Sequence, residues 1–348
     1  CIVDEPAAGG GVREMDGILC PGFVNTHCHL ELSHMKGLIP EKTGLPAFLT
    51  RVMESGNAPA GDYNNILDEA EQAMWAAGIS AVGDICNGAA TLVKKQQGRM
   101  YYHTFVECMG VADAGAGSRY SYSMEVLDAF REINGPQHQC SIVPHAPYSV
   151  SKTLFELLAG TPHNTPVCIH NQETPAENEL FRDKTGGFIP FYNHFGMDAS
   201  AFTPTGTNSL EAYLPYFSQN KILLVHNTFT TEQDILFARQ QRAATWWCLC
   251  PQANLYIESR LPDVPLLRQL QCSITLGTDS LASNHHLSIW EEVKTIRRYF
   301  PEIPLEEILQ WATFNGARAL GIQATYGSFN TGCKPGVVLI NQESNRII

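Results

Sequence analysis

The stretch Ile18-Leu-Cys-Pro-Gly-Phe-Val-Asn-Thr-His27-Cys-His29 passes from apolar, β-prone residues straight into two histidines separated by one position. A short apolar run without polar alternation is the pattern of a strand buried on both faces of a parallel sheet. Reading the first strand over 18–25, seven more such runs follow at 79–85, 101–107, 140–145, 166–170, 221–226, 244–250 and 272–279. Helical patterns at 65–77, 153–159 and 232–240 fall between them, so strand and helix alternate as βαβ units. Eight units close naturally into an α/β fold of the (β/α)8 TIM-barrel type, expected here over 18–324, with its active site at the C-terminal ends of the strands.

The ends of those runs carry the chemistry. His27 and His29 end the first, Asp84 the second, Glu107 the third, His145 the fourth, His170 the fifth, His226 the sixth and Asp279 the eighth. One histidine at a strand end is more often a packed structural residue. A whole set on the same rim is not explained that way. On a strand, His27 and His29 face one side and can chelate a single ion, while Cys28 faces away. His170 and Asp279 complete a set of three histidines and one carboxylate for one divalent metal, Zn2+ first and Fe2+ as the other acceptable ion. Such a metal lowers the pKa of its water towards about 7, so attack by metal-bound hydroxide, and hence hydrolysis, is the expected reaction. Glu173, three residues beyond His170, is the expected general acid and base, and Asp279 assists the proton transfer. His226 is expected to hold the hydroxide through a donated hydrogen bond.

Composition agrees with a single large core. The chain has 348 residues, 44% of them hydrophobic, enough for one barrel and a small appendage. A formal charge of -12 disfavours nucleic acid and anionic membrane surfaces, leaving a small neutral or cationic molecule as the expected partner. No apolar run approaches the roughly 18 residues of a membrane span, and no secretory signal pattern opens the chain, so a cytoplasmic protein is expected. The eleven cysteines are an odd number without CxxC spacing, as expected of reduced thiols that pack as small hydrophobes.

Beyond the barrel, 287–299 and 305–320 read as amphipathic helices and 327–340 as short, turn-rich strands. Residues 1–17 and 325–348 are expected to form a small β appendage. The start at Cys1 rather than a methionine leads us to expect its N-terminal part to be shortened. The aromatic, glycine-containing segment 188–202 reads either as a lid or pocket wall, or as a packed excursion over the rim. Trp246 and Trp247 read as core.

The segments Pro21-Gly-Phe-Val-Asn-Thr-His-Cys-His-Leu-Glu-Leu-Ser33, Pro144-His-Ala-Pro-Tyr-Ser-Val-Ser151, His170-Asn-Gln-Glu173, Val225-His226-Asn227, Cys250-Pro-Gln-Ala-Asn254 and Leu276-Gly-Thr-Asp-Ser-Leu-Ala-Ser-Asn284 resemble the amidohydrolase superfamily. The likeness is to its cytosine-deaminase-like, aminohydrolase and chlorohydrolase branch, and it covers nearly the whole barrel. It implies a mononuclear site with the four ligands above, Glu173 and His226 in the roles already given, and His145 against the substrate. In two-metal members a carboxylated lysine stands where this chain has His145. The resemblance also implies a composite β-sandwich from both chain ends. The sequence Leu-Glu31-Leu-Ser after the histidine pair is similar to S-adenosylhomocysteine- and aminofutalosine-type deaminases, which places Glu31, and with it Ser283, near the substrate.

The expected activity is therefore hydrolytic deamination of an aminated heterocycle: a purine or pyrimidine base, a nucleoside or a pterin. The alternatives are chlorohydrolase or amide hydrolase chemistry on the same site, or a non-catalytic metal-binding barrel. A homodimer would be a common assembly for such a barrel, and the residues leave the oligomeric state open.

Overall fold

A computed structural model of the chain describes residues 15–56, 62–162, 166–200, 202–241, 244–341 and 346–347. The first barrel run divides in two. Strand β1 (Ile18–Pro21) leaves the barrel and pairs antiparallel with β10 (Val337–Asn341), which pairs in turn with β11 (Arg346–Ile347). Strand β2 (Phe23–Cys28) then opens the barrel. Gly22 lies at the break, where only glycine fits: a Cβ there would lie 2.6 Å from the Ser80 hydroxyl oxygen. The expected 18–25 strand is thus corrected: its first half belongs to the small sheet formed with the chain end. The rest of the expected appendage, 1–14, 342–345 and 348, lies outside the described residues.

The barrel strands are β2, β3 (Ile79–Cys86), β4 (Tyr101–Cys108), β5 (His138–Pro144), β6 (Val167–Asn171), β7 (Lys221–His226), β8 (Ala244–Leu249) and β9 (Ile274–Leu276). All pair in parallel, as two four-stranded halves in the orders β2-β3-β4-β5 and β6-β7-β8-β9. Backbone bonds join the halves at both seams. At one, the Thr278 and Asp279 amides donate to the His27 carbonyl at 3.0 and 3.1 Å; at the other, the His170 amide donates to the His145 carbonyl at 3.0 Å. β2 and β4 are buried along their whole length, as expected when helices cover one face and the barrel interior the other.

The last expected strand, 272–279, is extended only over Ile274–Leu276. The Gly277 amide still bonds the Leu249 carbonyl, but the next two amides turn to His27, so the ladder ends there. Gly277 is required at this point: a Cβ would lie 2.8 Å from the His27 Cβ and 2.9 Å from the Cys248 sulfur. The helix Ile289–Tyr299 begins at Ser288, whose hydroxyl accepts from the Glu291 amide. It buries Ile289, Trp290, Val293 and Ile296 against the barrel, with Trp290 stacked on Phe23 at 6.5 Å. The expected helix 305–320 is interrupted by a π-helical turn, Trp311–Asn315, where Asn315 Nδ2 donates to the Ile274 carbonyl.

A second apolar cluster sits over the C-terminal rim and includes Met35, Leu45, Phe48, Tyr148, Phe188 and Tyr192. The segment 188–202 enters it through the helix Phe188–His194, and Phe188 stacks on Tyr148 at 4.2 Å. Phe191, Tyr192 and Met197 face the central cavity, so this segment is a pocket wall. Trp246 and Trp247 are core, and the cysteines among the described residues are all free thiols. Among the described residues, no helix is long and apolar enough to cross a membrane.

Candidate active site

Three strand ends deliver the predicted ligands to one rim. β2 carries His27, with His29 just beyond it; β6 carries His170; the turn after β9 carries Asp279. Cys28, between the two histidines, points outward with its sulfur 4.0 Å from that of Met74. The backbone is left-handed at Gln172, His226, Asn227 and Asp279, with φ of 46, 75, 59 and 58°. Such angles cost non-glycine residues about 1–3 kcal/mol and turn the strand ends sharply onto the rim. Side-chain bonds hold the turns: Asn227 Nδ2 donates to the Leu224 and Cys248 carbonyls at 2.8 and 3.1 Å.

The facing atoms of His27, His29 and Asp279 converge, and His170 stands beside His29. His29 Nε2 lies 3.1 Å from His27 Nε2 and 3.3 Å from His170 Nε2. Asp279 Oδ1 lies 3.6 Å from His27 Nε2 and 3.4 Å from His29 Nε2. A tetrahedral ion with bonds of about 2.1 Å places its ligands about 3.4 Å apart, so these spacings fit one metal ion. Protonation fits as well. His170 Nδ1 donates to the His145 carbonyl at 2.7 Å, which directs its Nε2 lone pair into the cluster. Burial, followed by the charge of His27, lowers the His29 pKa to about 3, and burial holds His170 well below its ordinary value. Burial alone would raise the Asp279 carboxyl, but the bond with His27 and the neighbouring histidines outweigh it and hold it below the usual carboxylate range. Histidine rings and a carboxylate aimed at one another are stable together when a cation sits between them.

His226 and Glu173 complete the wall. His226 Nε2 and Glu173 Oε1 are 3.7 Å apart, and both residues are buried. Asn254 decides the histidine's tautomer. Its amide nitrogen donates to the His226 carbonyl and the Thr228 hydroxyl, so its oxygen faces His226 Nδ1 at 2.9 Å and must accept from it. Burial lowers the His226 pKa to about 4, and the neutral ring offers Nε2 as an acceptor. The expected donor role is thereby corrected. Burial and the Asp279 charge raise the Glu173 pKa well above that of an ordinary carboxyl, as suits a group that must carry a proton.

His145 lines the cavity just beyond β5, its Nδ1 2.6 Å from the Ser149 hydroxyl. Glu31 also lines it, from the 3-10 turn Leu30–Met35, and accepts from the Asn87 backbone and side chain. Burial raises its pKa to about 7. Ser283 is placed differently from its expected substrate role. It is fully buried and its hydroxyl donates to Asp279 Oδ2 at 2.5 Å, so it positions that carboxylate. Ser280 stands at the cavity instead. Sequence reasoning gave no part to Asn254, Asn87 or Glu107; only Asn254, inside a motif, and Glu107, at a strand end, carried any signal.

Residues 18–348 match the amidohydrolase family along their whole length. The chain belongs to the amidohydrolase family. Among curated amidohydrolase relatives, it is 26% identical over 321 residues to an adenosine deaminase of Helicobacter pylori, covering 88% of this chain and 75% of that protein. It is 27% identical over 354 residues to a 5'-deoxyadenosine deaminase of Methanocaldococcus jannaschii, covering 93% and 75%. Among solved structures, the aminofutalosine deaminase of Helicobacter pylori in complex with methylthio-coformycin superposes with a TM-score of 0.81 at 22% identity, over 93% of this chain and 79% of that one. That last likeness concerns the fold. The amidohydrolase barrel and the metal-suited cluster on its rim are thus found together in one chain.

Proposed function

We propose that this amidohydrolase is a hydrolytic deaminase of adenine-type nucleosides that releases ammonia. The observation that carries this reading is the placement of Glu173 and neutral His226 beside the His27–His29–Asp279 group and the adjacent His170, at a cavity of about 900 Å3. The adenosine and 5'-deoxyadenosine deaminases among its relatives support the choice of leaving group and ring.

His27, His29, His170 and Asp279 would hold one divalent metal, and three nitrogens with one carboxylate oxygen suit zinc. When bound, the metal would supply a Lewis acid and lower the pKa of water towards about 7. His226 orients the attacking water by accepting a hydrogen bond from it at Nε2. Glu173 takes a proton from that water and returns it to the departing amine. Water oxygen forms the new bond to the ring carbon as the carbon–nitrogen bond breaks; one water proton leaves with ammonia and the other ends on the adjacent ring nitrogen. His145, its Nδ1 held by Ser149, presents Nε2 to the substrate. The outer cavity wall is apolar, formed by Leu45, Phe48, Val52, Met109 and Met197, and matches the 5' side of a nucleoside with an uncharged substituent.

The test is ammonia release by the metal-loaded chain from a panel of adenine nucleosides, aminopurines, pterins and cytosine, with Asp279→Asn as control. Release from the adenine nucleosides that disappears in the control is expected. No release from any compound, with metal bound, would overturn the reading.

A further inference from the structure

Glu107 closes β4 at the floor of the cavity and is 4% exposed, yet its Oε1 accepts no hydrogen bond among the described residues. The nearest ring nitrogen, His170 Nδ1 at 3.4 Å, has its hydrogen directed to the His145 carbonyl. A buried carboxylate oxygen without a donor is unfavourable. The cavity, which Glu107 lines, is open to a ligand group that can approach this oxygen. His29, Glu107 and His170 lie close enough to share an ion, but His170 Nδ1, the ring nitrogen 3.4 Å from Glu107, carries a proton and is no ligand.

The second carboxylate beside it narrows the choice. Asn87 Nδ2 donates to Glu107 Oε2 at 3.2 Å and to Glu31 Oε1 at 2.9 Å, and the Asn87 amide donates to both Glu31 oxygens at 3.0 and 3.1 Å. One asparagine thus holds two carboxyl groups side by side, both lining the cavity. The matching ligand feature is two donors on adjacent atoms. In a nucleoside, the vicinal hydroxyls of the sugar supply them.

We propose that Glu107, set beside Glu31 by Asn87, is a specificity-determining residue that accepts from the 2',3'-diol of a ribonucleoside. The proposal rests on the nucleoside reading above and selects ribonucleosides over deoxynucleosides and free bases.

The experiment measures binding, so that it stands apart from turnover. Adenosine, 2'-deoxyadenosine and 3'-deoxyadenosine are titrated calorimetrically into the metal-loaded full chain in a Glu173→Gln background, with and without Glu107→Gln. With Glu107 intact, adenosine is expected to bind roughly 10- to 100-fold more tightly than either deoxy form, as when a buried acceptor is left without its partner. Glu107→Gln should shrink that ratio to near one, and Asn87→Ala should reduce it in part. A ratio of dissociation constants does not depend on the folded fraction, so a poorly folding variant still gives a reading. Equal weakening of all three ligands by Glu107→Gln, no discrimination with Glu107 present, or no binding of any of them would overturn the proposal. Clear discrimination with no ammonia release by the unsubstituted chain would leave it standing and overturn the deaminase reading alone.

Discussion

Asp279 shows how much one residue depends on its neighbours. Its left-handed backbone, φ 58°, directs Oδ1 to the histidine pair, while the Ser283 hydroxyl holds Oδ2 at 2.5 Å. Removing that hydroxyl leaves the carboxylate free to rotate without altering the cavity wall. Ser283→Ala is therefore expected to weaken metal affinity roughly 10- to 100-fold, the usual effect of losing a group that orients a ligand. Metal content after dialysis against a competing chelator measures this. Unchanged retention, with only KM raised, would restore Ser283 to substrate contact. His226 makes the same point: its tautomer is set by Asn254, 28 positions away in sequence.

At the scale of elements, the β2–β9 seam matters most, because it brings His27 and Asp279 together. It closes through two amides on one carbonyl and through the absence of a side chain at Gly277. Gly277→Ala would press a methyl against His27 and Cys248, an overpacking cost of about 1–3 kcal/mol. The expected result is a lower thermal midpoint together with reduced metal content, since the displaced atom belongs to a ligand residue. A fall in midpoint with full metal retention would show that the seam yields elsewhere. The eight strand positions were legible from their apolar runs, but two boundaries were not. Gly22 splits the first run and the His27 carbonyl cuts the last short, and both follow from contacts with residues far away in sequence.

For the whole molecule, metal bound by the four proposed ligands would be linked to stability, because those residues come from strands in both halves of the barrel. Metal that binds the folded state alone stabilises it by about 2.7 kcal/mol at a free concentration one hundred times its dissociation constant. Chelation should therefore lower the thermal midpoint of the loaded protein by several degrees, and His27→Ala should show no such shift. Buried carboxyls away from the cluster set a pH dependence. Burial raises the Glu177 pKa to about 7 and that of Glu292 to about 8, from ordinary values of 4.5. Folding thus favours their protonated forms. The resulting stabilisation is fully present below about pH 4.5 and is lost as pH rises through 7 to 8. Between pH 6 and pH 9, the midpoint of the unsubstituted chain should fall relative to that of Glu292→Gln. A constant gap across that range would show that Glu292 does not titrate there.

The sequence by itself determined the barrel, through eight apolar runs of strand length, and marked the candidate site, through metal-capable residues at their ends. Both are local patterns: burial on two faces demands continuous apolar runs, and an active site at strand ends demands polar residues in the same register. Tertiary structure alone decided which groups act on one another. Whether Ser283 meets substrate or Asp279, which nitrogen of His226 carries the proton, and that Asn87 holds Glu31 beside Glu107 all depend on hydrogen-bond geometry. Such bonds require atoms within about 3 Å, a distance set only when the two halves of the barrel close on each other.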